Sequence, residues 1–421
     1  MQTEREPSGL RVKASHRTDE SPILRAMLSA VQEWLNLLVR WLHVIAAIMW
    51  IGDSFLFMWL DSHLSPSSKP REGDVAGELW MTHSGAFYEV IKRRTLQQSE
   101  IPKTLYWFKW ESYSTFLTGF VLLGIVYWLG GASFLIDRAV RDLSPAQAVG
   151  CSVGLLAAGV LVYDGLCRTP LVRSNRAFAA VGLVLIAATA YGLTHLFSGR
   201  AAFLHVGAML GTIMASSVFL RIIPSAKALL AATHAGGRPD PALGVRAKQR
   251  SVHNHYLTLP VLFMMLSNHF PSTYGSKQAW LVLTLLVVFG VALKIVMIQR
   301  TDSKPLVLLA LFGSLLGVVI LTKPANRHVE LSGTPVPFAR AQEVVLTRCV
   351  PCHASHPTHP AFSVAPKGLM LDSPTLMKQH AAQIYVQAVE TKVMPLGNLT
   401  NITEEERATL GAWVKQGAAL K

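Results

Sequence analysis

Charge is scarce in this 421-residue chain: Asp, Glu, Lys and Arg make up 15% of it, against 51% hydrophobic residues. With a positive mean hydropathy, so little charge excludes both a disordered polymer and an ordinary water-soluble domain, in which about 25% of residues are charged. Cysteine is scarcer still. Four residues cannot build a disulfide scaffold. Cys151 and Cys167, 16 positions apart on or near one helix, would sit about 24 Å from each other at the helical rise, too far to bridge. Acidic residues are few beside basic ones, 25 against 39. The resulting charge of +14 is spread over short connectors between apolar runs instead of one patch, which argues for membrane lipid and against nucleic acid as the partner. The chain also lacks an opening basic, apolar and small-residue segment. Residues 1–33 are polar and the first apolar run is long enough to span a bilayer, so no cleaved signal peptide is expected.

What is present is long apolar runs. A hydrocarbon core of about 30 Å takes roughly 20 helical residues, and eight runs qualify, near 35–60, 113–136, 146–163, 177–197, 202–223, 254–270, 278–299 and 305–322. The expected fold is all-α, a polytopic membrane helix bundle followed by a small helical domain. A polar tail occupies 1–34, the bundle 35–322, a Pro-rich linker 323–337 and the final domain 338–421. In the connectors after the second, fourth and sixth runs the basic residues are only Arg138, Arg141, Arg200 and Lys277; the other connectors hold many more. Positive-inside logic then places both ends of the bundle outside. Leu42-His43-Val44-x-Ala46 recurs as Leu204-His205-Val206-x-Ala208, and Ile51, Ser54 and Phe57 match Ile213, Ser216 and Phe219. Each set opens a group of four runs, which suggests two four-helix units related by a parallel repeat.

The sharpest chemical signal is Cys349-Val350-Pro351-Cys352-His353. In C-x-x-C-H the two thiols can form thioethers to haem vinyl groups while the imidazole ligates iron. A thioredoxin-like dithiol would want a βαβ context and a zinc knuckle a second ligand pair, and neither is present. Met394, before Pro395 and 41 residues after His353, is the expected sixth ligand, with Met370 and Met377 as rivals that more often fill cores. The spacing of Thr403 and Glu406 predicts a capping box opening the last helix, and Trp413 should pack against the helix carrying the haem motif. Haem c is attached on the oxidising face of a bacterial membrane, so the charge count and the motif place the C-terminal domain on the same, periplasmic side of the inner membrane.

Ionisable residues inside spans are costly and are functional candidates by default. His43, His195, His205 and His269 all fall toward the outer ends of their runs, so four imidazoles are expected beneath the cytochrome domain. Arg40, His43, Trp50 and Asp53 share a helix face by their spacing. Three readings of the pseudo-equivalent His43 and His205 stand open: ligands to a b-type haem, part of a dry pocket for a small polar substrate, or packing histidines that hydrogen-bond neighbouring helices. The basic runs Lys92-Arg93-Arg94 and Arg246 to Arg250 read as topology anchors.

Glu33-Trp34-Leu35-Asn36 leading into Arg40-Trp41-Leu42-His43-Val44-Ile45-Ala46 and Trp50-Ile51-Gly52, with eight spans and a C-terminal C-x-x-C-H, resembles the bacterial membrane-bound urate oxidases (urate hydroxylases) fused to cytochrome c. The likeness runs from about residue 30 onward. It implies purine degradation: oxidation of urate to 5-hydroxyisourate with water as oxygen source, electrons leaving through haem c to a respiratory-chain acceptor such as a terminal oxidase or soluble cytochrome. The Leu-His-x-x-Ala and Trp-x-Gly pattern is similar to that of membrane proteins that bind haem or copper. The residues alone support only a dehydrogenase delivering electrons to a c haem, or a cytochrome module fed by quinol or a partner dehydrogenase. A urate site would want Arg or Lys for the charge, polar partners for the edges and a stacking aromatic; Arg40, His43, Trp50, Asp53 and His205 could furnish parts of it.

Overall fold

The computed structural model describes residues 22–68, 71–129, 132–298, 304–323, 335–359, 362 and 364–420. It is mostly helical. Helix α1, Pro22–His63, is 42 residues long and takes in part of the stretch expected to be a polar tail. A hairpin that the apolar runs do not signal follows, β1 Val75–His83 paired antiparallel with β2 Ala86–Arg93. Its turn, Ser84-Gly85, has positive φ at both residues, the geometry that matches the twist of two short strands. The hairpin is held by charge. Glu78 accepts hydrogen bonds from the Ser68 backbone, the Ser67 hydroxyl and Arg71, which hold its carboxyl down at about 2. The expected anchors are paired here: Lys92 with Asp61 of α1, Arg93 with Glu100 and Arg94 with Asp74.

Helix α2, Trp110–Leu123, runs into a π-helical turn, Gly124–Trp128, and stops there, short of the predicted end at 136. The reason lies downstream. Ser198 donates its hydroxyl to the Phe134 carbonyl and its amide to the Leu135 carbonyl, so this stretch folds into a cap over the bundle instead of a last helical turn. Helix α3, Pro145–Leu166, opens with a Ser144–Gln147 capping box and a proline at its first turn. Helix α4 is Asn175–Thr194. Helix α5, Gly199–Ser217, continues through the π-helical turn Val218–Ile222 into α6, Ile223–His234. Helix α7, Pro241–Leu266, starts at an Asp240 cap and so carries the basic run 246–250 on a helix, not in a loop as expected. The short α8, Pro271–Tyr274, precedes α9, Ala279–Ile298, and α10, Lys304–Thr322.

Among the described residues six helical stretches are long and apolar enough to cross a membrane: Ala30–His63, α3, α4, Gly199–His234, α9 and Pro305–Thr322. The other two of the eight expected runs became α2, which is short, and α7, whose first half is polar. The core forms around α5, which buries thirteen residues including Phe203, His205, Val206 and Met209. Among the described residues of helix α1, its partner in the sequence echo, only Ala46 is buried, while Leu38, Trp41, Ile45 and Ile48 point outward. With α10 exposing Leu306, Leu309, Phe312 and Leu316, the bundle presents an apolar surface far beyond what water-soluble proteins tolerate.

Most of the expected linker lies outside the described residues. The C-terminal domain consists of α11, Phe338–Arg348, α12, Pro374–Gln379, α13, Ala381–Ile384, which continues as a π-helical turn to Glu390, and α14, Glu404–Lys415. Thr403 caps α14 with Glu406 completing the box. Trp413 packs on Phe338 of α11, ring centroids 5.9 Å apart, in a core that includes Val345, Met377 and Leu410.

Candidate functional site

The bundle holds a cavity of about 140 Å³ between α1, α2, α5 and α7, well beyond the roughly 10–15 Å³ that one water needs. Its walls are apolar, with Trp50, Phe116, Phe120 and Leu204 among them. Its charged and larger polar groups are few, Arg40, His43, Tyr127, Arg200 and Asn268, with Thr115, Thr212 and Thr258 beside them. Arg40 donates to Asn36 Oδ1 at 2.9 Å and Arg200 to Asn268 Oδ1 at 2.9 Å. Both partners are neutral amides. Neither guanidinium has an ion pair among the described residues, so two uncompensated cations face one apolar space, an arrangement that favours an anion. Tyr127 is 1% exposed and its hydroxyl has no hydrogen-bond partner among the described residues, although both guanidiniums and Asn268 lie within its electrostatic reach.

His43 is oriented for proton chemistry. Its Nδ1 lies 3.1 Å from the Thr115 carbonyl; a carbonyl only accepts, so Nδ1 carries the hydrogen and Nε2 is left with its lone pair. The ring reaches this position because residue 119 is glycine. A Cβ there would stand 2.8 Å from His43 Cε1.

The other expected members sit elsewhere. His205 is fully buried behind Tyr127 and Phe197, whose rings lie 5.4 Å and 5.2 Å from its own. Both its nitrogens are engaged. Ser152 Oγ accepts from Trp128 Nε1 at 2.9 Å, so its hydrogen goes to His205 Nε2 at 2.8 Å, and Nδ1 donates to the Ala201 carbonyl at 2.8 Å. A closed network of this kind leaves no nitrogen for iron, so the residues present do not fit a b-type haem held by His43 and His205. Ser152→Ala should strand both the indole N–H and the imidazole, lowering stability by about 1–3 kcal/mol; thermal unfolding of the purified protein measures it. Asp53 lies toward the opposite end of α1, within electrostatic reach of Glu111. His195 and His269 are exposed. Of the four imidazoles expected beneath the C-terminal domain, only His43 lines the cavity. Arg200, Tyr127 and Asn268 escaped the sequence reading; the signal for Arg200 was its isolation as a basic residue where the connectors have almost none.

The C-terminal domain carries the second constellation. The amides of Cys352 and His353 both donate to the Cys349 carbonyl, which winds Cys349, Cys352 and His353 onto one turn at the end of α11. His353 Nδ1 donates to the Leu369 carbonyl at 2.9 Å, setting the ring's orientation and keeping Nε2 for another partner. Burial pushes the Cys349 thiol up to about 12, the reverse of what a reactive dithiol requires. Met377 is fully buried in the core and is no rival for an axial position. Met394 stands on a loop whose backbone is pinned by Arg407, which donates to the Met394 carbonyl at 2.7 Å and to that of Ala388. These donors fit a covalently attached haem.

That same loop docks on the bundle. Val393 packs against the bundle core, Thr391 abuts Gly275, and Gly397, at φ +54°, lies so close to the Ile136 carbonyl that a Cβ would stand 2.4 Å from it. On the other side of the cap, Arg200 of the cavity stacks over Phe134 at 5.0 Å and Phe134 meets Phe362 of the C-terminal domain at 6.4 Å. The cavity and the Cys/His domain are therefore joined through three consecutive side chains.

Residues 29–323 match the family described as urate oxidase, N-terminal. Comparison with curated proteins and with solved structures gives no match. The matched segment contains every residue of the cavity and ends before Cys349, and on that match the chain belongs to the urate oxidase N-terminal family.

Proposed function

We propose that the protein is a membrane-bound oxidoreductase that oxidises urate to 5-hydroxyisourate in the bundle cavity and passes the electrons to a haem c carried by its own C-terminal domain. The observation that carries this reading is the pair Arg40 and Arg200, two guanidiniums without acid partners among the described residues in an apolar, aromatic-lined cavity, within a chain of the urate oxidase N-terminal family. Urate is a planar anion. The arginines would neutralise its charge, Trp50, Phe116 and Phe120 offer faces and edges to its rings, and Tyr127 and Asn268 offer hydrogen bonds to its periphery. His43 Nε2 is placed to take a proton from water as the oxygen adds to the purine, with Thr115 holding the ring.

Cys349 and Cys352 would carry the thioethers, and His353 and Met394 would ligate iron. Haem bound there supplies a one-electron acceptor. The chain's own part is to hold that domain against the cavity cap through the loop 391–397 and the Phe134–Phe362 contact. In this reading the bundle lies in the bacterial inner membrane with the C-terminal domain on the periplasmic side, as the connector charges indicate, and a respiratory-chain component takes the electrons onward.

Purified protein given urate anaerobically tests it: the c-type absorption bands should shift to the reduced form, while quinol should not reduce them faster. Reduction by quinol and not by urate would replace this reading with an electron-transfer module. His43→Gln, which keeps a donor toward Thr115, should bind urate normally and lose roughly 100-fold or more in kcat.

A further inference from the structure

Beyond the cavity floor, away from the C-terminal domain, lies a pair of ionisable groups that the preceding chemistry does not use. Lys294 of α9 is fully buried, and its Nζ has no hydrogen-bond partner among the described residues. It rests 2.8 Å from the centroid of the Phe55 ring. His255 of α7 is 1% exposed and its Nε2 is likewise unpartnered. The imidazole meets the same Phe55 at 6.1 Å, and Lys294 is the charged group acting on it. On its other side His255 Nδ1 lies 3.3 Å from Ser54 Oγ of α1. Among the described residues, then, Ser54 contacts the imidazole from α1 and Lys294 reaches the same Phe55 ring from α9, with no acid in an ion pair with either cation-forming group; Asp53, next to Ser54, lies within electrostatic reach of Glu111.

Position ties the pair to the cavity. Thr258, which lines it, is three residues after His255 on α7, and Trp50, which also lines it, is four before Ser54 on α1, so each contact lies one helical turn below the floor. Helix α9 starts beside α8, whose following Gly275 touches Thr391 of the C-terminal domain. It therefore descends away from that domain. Helical side chains lean toward the N-terminus of their helix, which aims the lysine back up at the cavity. An amine without a hydrogen-bond partner and an imidazole with one nitrogen unpartnered are costly to bury in an apolar interior, and intramembrane groups of this kind mark proton pathways.

Resting on the reading of the cavity as a urate site, we propose that His255 and Lys294 are the proton outlet of the reaction, accepting protons through Ser54 and passing them toward the end of the bundle opposite the C-terminal domain. The balance requires such an outlet. Counted from neutral urate, one water adds its oxygen to C5, the C4=C5 π bond is replaced by a C=N bond, one O–H and one N–H bond break, and two protons and two electrons leave. The electrons go to a one-electron acceptor of the haem class, and the protons cannot stay in an apolar cavity.

The test compares Lys294→Met, Lys294→Arg and His255→Gln with the parent, each purified with its full haem content as the check on folding. Arginine keeps the cation but does not release its proton. All three variants should therefore lose roughly 100-fold in kcat with urate KM unchanged and with a larger solvent deuterium isotope effect. In proteoliposomes, a pH dye should find the parent's protons on the face opposite the C-terminal domain. Native kcat in Lys294→Met, recovery in Lys294→Arg, or protons released on the C-terminal domain's face would each overturn the outlet while leaving urate oxidation standing. A parent protein inert toward urate would overturn the reading of the cavity and the outlet together.

Discussion

Arg200→Gln is expected to cost the protein most of its affinity for urate. Arg200 is held by Asn268 at 2.9 Å and, with Arg40, brings positive charge that no carboxylate offsets among the described residues. Removing one partner of a buried charge pair typically costs about 2–5 kcal/mol, which is roughly a 30-fold to several-thousand-fold rise in dissociation constant. Arg200→Lys should recover little, because a point-charge ammonium cannot both keep the Asn268 contact and present a planar fork to a planar anion. Arg40→Gln should act in the same direction and Asp53→Asn should not, since Asp53 stands apart from the cavity. Equilibrium binding of urate to the oxidised protein, with the haem spectrum as a control, measures these effects. Unchanged affinity in Arg200→Gln would remove the cavity as the urate site.

Cys352→Ala should abolish covalent haem altogether, because the thioether it would carry shares a turn with Cys349 and His353 and neither can replace it. Pyridine haemochrome spectra of the purified variant should show no thioether-linked haem. Urate binding should persist, since the cavity is built wholly from residues 40–268. Met394→Ala, by contrast, should keep the haem attached and lower its reduction potential, as loss of a thioether ligand does; an unchanged potential would mean that Met394 is not a ligand. Met377→Ala should leave the potential alone and instead destabilise the domain by about 2–5 kcal/mol, the usual cost of emptying a fully buried methionine site.

Local pattern and composition account for much of what the structure contains. Each expected apolar run became helical over most of its length, because a backbone with few polar neighbours must satisfy its own amides and carbonyls. The Thr403–Glu406 box and the Trp413 contact arise from spacings within a few residues or from one apolar face. Arg40, His43 and Trp50 were found together because residues three to four apart on a helix share a face. His205 misled for a related reason. Its sequence echo with His43 reproduces local pattern, but α5 runs through the core and α1 along its edge, so one imidazole opens onto a cavity while the other closes a network with Ser152 and Trp128.

By itself, the order of residues determined the helices, the apolar exterior, the paired thiols next to an imidazole and the cationic bias of one set of connectors, all of which depend on composition or on short-range periodicity. Only the tertiary structure decided which groups share a space. Arg200 and Asn268 come to the cavity that Arg40 lines from 160 and more positions away; the α2 run ends early because Ser198 claims the carbonyls of Phe134 and Leu135; and Lys294 and His255 reach the same Phe55 ring from two different helices. The physical reason is that helix packing sets those pairings through the shapes of surfaces distant in sequence, such as the glycine at 119 that admits the His43 ring and the glycine at 397 that admits the Ile136 carbonyl. Neither requirement can be read from the neighbours of either residue in the chain.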